Sequence, residues 1–142
     1  MENDGLERFV QAQEHAYGRA LREVKNGYKE SHWMWYIFPQ LRGLGQSPMS
    51  YTYGIAGREE ARDYLAHPLL GTRLREITAA LLGLQDSSAE QIFGEVDAMK
   101  LRSSMTLFCM VSPRGSVFQQ VLERFFGGLP DPRTIELLHA RA

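Results

Sequence analysis

The segment Glu95–Val111 begins amphipathic and then, from Leu101 through Met105, Leu107, Phe108, Cys109, Met110 and Val111, becomes apolar on nearly every face. A helix patterned this way has no side to give to water, so it must run through the middle of a domain with other elements packed around it. Those elements have to come from the rest of the chain. They must carry apolar stripes wide enough to wall a central helix.

The stripes recur at three- and four-residue spacing, the period of an α-helix. Leu6, Phe9, Val10, Gln13, Tyr17, Ala20, Leu21 and Val24 predict one helix over 6–25, closed by Gly27. Ser31 is placed to cap a short helix over Trp33–Phe38, and Pro39 disfavours a helical conformation at Phe38. Leu41–Gly57, with four further glycines or prolines inside it, reads as a loop, and long ordered loops in small domains often carry function. Helical patterning resumes over Arg58–His67 and over Leu69–Leu84, where Leu70, Leu74, Ile77, Leu81 and Leu84 share a stripe. Ser87 or Ser88 caps a short turn through Ile92 and Phe93, and the central helix follows. After the turn Ser112–Gly115, Val117, Val121, Leu122, Phe125 and Phe126 form another stripe stopped by Gly127 and Gly128; Asp131 or Pro132 then opens the last helix.

No alternating strand pattern competes with these assignments. The expected fold is therefore all-α: an irregular, single-domain bundle of about seven helices over residues 1–142, with a long Gly-containing loop after the second. The length is that of one domain, and 44% hydrophobic with 23% charged residues is the balance of an ordered globular chain.

Composition also removes several functions. A net charge of −1 is no basis for a broad nucleic-acid surface, because phosphate contacts need clustered Lys and Arg. No apolar stretch approaches the roughly 20 residues that span a bilayer. Cys109 is alone, so no intrachain disulfide forms, and its apolar neighbours make it a buried, inert thiol. The expectation is a soluble, cytoplasmic protein. There is no His-Glu-x-x-His sequence, cysteine cluster or Gly-x-Ser-x-Gly elbow, so no metal is suggested and no cofactor is indicated.

One block stands out. His32-Trp33-Met34-Trp35-Tyr36-Ile37-Phe38-Pro39-Gln40 puts four aromatic rings within six positions. Trp33 and Trp35 are candidates to stack on a flat ligand, with Met34, Ile37 and Phe38 assigned to the core. His32 is a candidate acid or base, and Gln40 and Arg42 can hold a carboxylate, a phosphate or a base edge. Further along, Asp97, Lys100 and Ser104 share one side of a helix, so the first two are candidates for proton transfer and all three for ligand contact. Arg73, near the start of its helix after His67-Pro68, and Tyr53, in the loop, complete the set. Each of these residues also has a structural use, as core, cap, ordinary ion pair or hydroxyl bonded back to its own helix.

The run from His32 to Leu41, followed by Gly43-Leu44-Gly45, closely resembles the bacterial and fungal family catalogued as domain of unknown function 1810. The likeness continues through Tyr53-Gly54-Ile55, His67-Pro68, Leu70 to Leu74, Ile92-Phe93-Gly94, Asp97, Lys100-Leu101 and Ser103 to Phe108, and so covers nearly the whole chain. Members are sometimes labelled calpastatin, a disordered protease inhibitor, but this composition is that of a folded domain and the label carries no weight. The resemblance implies a compact helical domain and brings with it no reaction, substrate or catalytic residue. From the residues themselves, the expectation is a pocket where the aromatic block, the 43–57 loop and the start of the Asp97 helix converge on a small anionic or nucleotide-like ligand. In that pocket His32 or Lys100 moves a proton if chemistry occurs. The alternative is a protein-interaction or homo-oligomerising module with an exposed aromatic patch.

Overall fold

Ten helices, and no strand, occupy the residues described by the computed structural model, 2–141. In chain order they are α1 (Glu2–Gln13), α2 (Tyr17–Lys25), α3 (Met34–Ile37), α4 (Pro48–Thr52), α5 (Arg58–Ala66), α6 (Leu70–Leu82), α7 (Ala89–Phe93), α8 (Glu95–Met110), α9 (Val117–Phe126) and α10 (Pro132–Ala140). Seven have nine residues or more, while α3, α4 and α7 are single turns of four or five. The all-α bundle read from the sequence is the observed class. None of the helices is long and apolar enough to cross a membrane.

The central helix is α8. Leu101, Met105, Leu107 and Phe108 have no exposed surface, and α5, α7, α9 and α10 pack around it. Phe108 lies between Tyr64 of α5 and Phe118 of α9, with ring centres 5.4 and 5.7 Å away. Tyr64 in turn meets the edge of Phe9 at 5.1 Å, which extends the same cluster to α1.

Three expectations change in detail. The helix predicted over 6–25 is two helices, broken at Glu14–Ala16, where short i to i−3 bonds from the Glu14 and Ala16 N–H groups replace the regular ladder. The cause is tertiary: Gln13 is buried, and its amide donates to the Tyr36 carbonyl at 2.8 Å and the Tyr64 hydroxyl at 3.0 Å. The bend lets α1 lie on α3 while α2 lies on α6. Ser31 does not cap α3, whose first turn follows Trp33 with no side-chain cap. Its N–H and hydroxyl go instead to Glu23.

The 41–57 loop is more ordered than its composition suggests. Ser47 accepts the Ser50 N–H and Pro48 opens the turn α4 inside it. At its base Leu41 and Ile55 form a parallel bridge, with Arg42 N–H donating to Ile55 and Ile55 N–H donating to the Gln40 carbonyl, each at 2.8 Å. Closure is tight: a Cβ on Gly54 would stand 2.6 Å from the Arg42 Cβ and 2.7 Å from the Ser50 carbonyl oxygen. The closed loop sets Gly45, Ser50 and Tyr53 against the exposed flank of α8.

Candidate functional site

Glu23 organises the aromatic block, and nothing in its sequence neighbourhood announces it. It is buried, and its carboxylate accepts the Glu30 N–H (2.8 Å), the Ser31 N–H (3.0 Å), the Ser31 hydroxyl (2.7 Å) and the Trp33 indole N–H (2.9 Å). Burial alone raises its pKa, but the Ser31, Glu30 and Trp33 donors outweigh that and hold it at about 2 against an ordinary 4.5. Held this way, Trp33 is 1% exposed and packs on Phe38 and Phe93 with centroid distances of 6.2 and 6.3 Å. Trp33 is therefore core, not a stacking wall for a ligand: an indole this deep presents no free face. Met34, Ile37 and Phe38 are buried beside it.

Trp35 points elsewhere. It lines a cleft of about 320 Å³ whose walls come from four parts of the chain. Trp35, Gln40 and Leu41 come from the aromatic block and its end, and Leu44, Gly45, Ser50, Tyr53 and Gly54 from the loop. One flank of α8 adds Val96, Met99, Lys100 and Ser103, and the start of α10 adds Asp131 and Arg133. The volume is at the lower end of the roughly 300–1,000 Å³ of small-molecule sites.

The polar groups of the cleft have defined partners. The Lys100 ammonium sits 3.9 Å from the centre of the Trp35 ring and 3.3 Å from Asp97 Oδ1. Asp97 Oδ2 is 2.9 Å from Lys29, which lies over Trp33, so a single carboxylate is shared between two lysines. Asp131 caps α10: its Oδ2 accepts the Thr134 N–H and hydroxyl and the Ser103 hydroxyl. Arg133 forms no ion pair among the described residues. Tyr53 stands between Phe9 and Tyr36, with ring centres 5.9 and 5.3 Å away.

Of the residues singled out in the sequence, Trp35, Gln40, Tyr53 and Lys100 thus share the cleft, and Asp97 adjoins it through Lys100. Others lie apart from it. His32 is exposed and borders a separate cavity of about 430 Å³ with His15, Glu30 and Tyr36. It does not line the Lys100 cleft, so the structure does not gather His32 with Lys100 and Asp97 in one cavity. Arg42 is used to hold the loop, donating to the Tyr51 carbonyl at 2.9 Å with its guanidinium 4.4 Å from the Tyr51 ring centre. Arg73 lies 4.9 Å from the Tyr17 ring centre and bonds Gln13, at the α2/α6 contact. The helix start before it is already satisfied, because His67 Nδ1 accepts the Leu69 and Leu70 N–H groups at 3.1 and 3.2 Å. Ser104 is fully buried in α8, with no hydrogen-bond partner for its Oγ among the described residues, and it does not line the cleft.

Val96, Met99, Asp131 and Arg133 were not singled out as ligand contacts, although part of the signal was present. Positions 96, 99, 100 and 103 are three and four apart and so form one helical face once Lys100 is suspected. That α10 brings Asp131 and Arg133 to the same place depends on a packing that no local pattern encodes. Among the described residues, no three His, Cys, Asp or Glu side chains are grouped to hold a metal ion. Burial pushes the Cys109 thiol above its ordinary pKa, against a hydrogen bond with Ser116, which disfavours the reactive thiolate.

Comparison with known proteins gives two matches. A family described as protein of unknown function DUF1810 matches residues 3–138. The crystal structure of the conserved hypothetical protein Rv1873 from Mycobacterium tuberculosis is 48% identical in sequence and superimposes with a TM-score of 0.92, over 94% of this chain and 96% of that one. No curated protein matches the chain.

Proposed function

We propose that this chain, which belongs to the DUF1810 family of proteins of unknown function, binds a small, flat, anionic ligand in the cleft bounded by Trp35 and Lys100. The observation that carries the reading is the pairing of an aromatic face with an ammonium at one wall, 3.9 Å apart, in a concavity whose surface is mainly apolar. Trp35 and Tyr53 offer surfaces for a planar ring. Lys100 anchors negative charge at its edge, and Gln40 can bond a polar substituent. The reading is one of binding, because the carboxylates at this wall are already engaged, Asp97 by Lys29 and Lys100 and Asp131 as the cap of α10.

A thermal-shift screen against nucleotides, sugar phosphates and small carboxylates tests this, since a ligand bound only by the native state raises its melting temperature by mass action. A hit whose shift disappears in Trp35→Ala and in Lys100→Gln, both still folded, supports the site. A shift that survives in both variants refutes it.

Association through the same face is the second reading, and one observation favours it. Val96 and Met99, on the lip of the cleft, are 67% and 71% exposed, an unusual pair for a helix this central. Light scattering at several concentrations separates the two: a dimer dissociated by Met99→Glu favours association, whereas a monomer at all concentrations favours the ligand.

A further inference from the structure

Resting on the ligand-binding reading above, we infer that the cleft selects a monoanion, an aromatic or heteroaromatic carboxylate, over mononucleotides and polyphosphates. The inference comes from charge bookkeeping at the site. Lys29, Lys100 and Arg133 bring three positive charges, and Asp97 and Asp131 bring two negative ones, so the local excess is a single positive charge. Neither carboxylate is free to leave. Asp97 is held by both lysines at 2.9 and 3.3 Å, and Asp131 is held by Thr134 and Ser103 as the cap of α10.

One carboxylate therefore neutralises the cleft, while a phosphate dianion or a triphosphate leaves one or more negative charges uncompensated beside Leu41, Leu44 and Met99. Uncompensated charge against apolar walls is strongly disfavoured. Size points the same way: about 320 Å³ suits one or two fused rings with a short acidic arm, and a base, ribose and phosphate chain must extend past the lip. On the α8 side the lip is apolar, with Val96 and Met99 largely exposed, and offers an extended phosphate chain no cation there. The ammonium is geometrically prepared for one anion. One donor direction is used by Asp97 and one side faces the Trp35 ring, which leaves the rest to a ligand lying against that indole.

The test is isothermal titration of the intact chain with four probes: indole-3-carboxylate, neutral indole, AMP and ATP. The expected order is indole-3-carboxylate at least 10-fold tighter than indole, AMP and ATP. Lys100→Gln is expected to bring the carboxylate down to the affinity of indole while indole itself is unchanged, and Lys100→Arg to restore most of the preference. AMP or ATP binding as tightly as the carboxylate, with loss in Lys100→Gln, overturns the monoanion inference and leaves the anionic-ligand reading standing. Equal affinity for indole and indole-3-carboxylate, or no binding by any probe, overturns both.

Discussion

Replacing Glu23 by Gln removes one negative charge from beneath the aromatic block and almost nothing else. The amide oxygen can still accept the Glu30, Ser31 and Trp33 N–H groups, and the Ser31 hydroxyl can turn to accept from the new amide. What is lost is charge assistance to four bonds, and bonds to charged groups contribute roughly 1 kcal/mol more than neutral ones. Proton linkage gives an independent figure. A pKa lowered from 4.5 to about 2 corresponds, at roughly 1.4 kcal/mol per pH unit, to about 3 kcal/mol of stability. Because the folded value is the depressed one, this stability is fully present above pH 4.5 and is lost as the pH falls from there towards 2. Urea denaturation of the wild-type and Glu23→Gln proteins at pH 7, 5, 4 and 3 isolates the effect, since the other carboxylates cancel in the difference. The wild type should be more stable by about 3 kcal/mol at pH 7 and by only about 1.5 kcal/mol at pH 3. A difference independent of pH, or none at pH 7, would show that the carboxylate is not held as described.

Four further substitutions have defined signs. Gly71→Ala, though alanine is the better helix former, is expected to destabilise by about 1–3 kcal/mol, because its Cβ would lie 2.1 Å from the Leu65 carbonyl oxygen. Gly18→Ala in α2 has open space around it and is expected to stabilise by up to about 1 kcal/mol; the pair is read by the same denaturation assay. Phe108→Ala empties the position between Tyr64 and Phe118 and should cost about 3–5 kcal/mol by urea titration. Asp131→Ala removes the α10 cap and should lower stability by about 1–2 kcal/mol, with faster amide exchange at Thr134 as its local signature.

The parts of this molecule that could be read from the chain are those set by local pattern. The apolar run of α8, the stripe of α6, a serine cap at 87 or 88 and a helix opening at Asp131 or Pro132 follow from periodicity and from short-range hydrogen bonding, and the structure places the caps at Ser88 and Asp131. The break between α1 and α2 could not be read, because it is imposed by Gln13 reaching Tyr36 and Tyr64, 23 and 51 residues away. The candidate site divides along the same line. Trp35 and Lys100 were legible as unusual residue types at promising spacings. Trp33, two positions from Trp35, is the same residue type with the opposite fate, decided by Glu23 ten residues earlier. Arg42 and Arg73 had the chemistry to hold an anion, yet the fold employs them on Tyr51 and Tyr17.

Those two tryptophans provide the most direct test of the proposed site. In a ¹H–¹⁵N spectrum each contributes one indole N–H signal, assignable from Trp33→Phe and Trp35→Phe. Trp33 bonds to Glu23 inside the core, whereas Trp35 lines the cleft against Lys100. On titration with indole-3-carboxylate, the Trp35 signal is expected to shift saturably while the Trp33 signal stays in place, and Lys100→Gln should weaken the titration. A Trp35 signal that does not move at saturating probe, or a shift confined to Trp33, would contradict the assignment of this cleft as the ligand site.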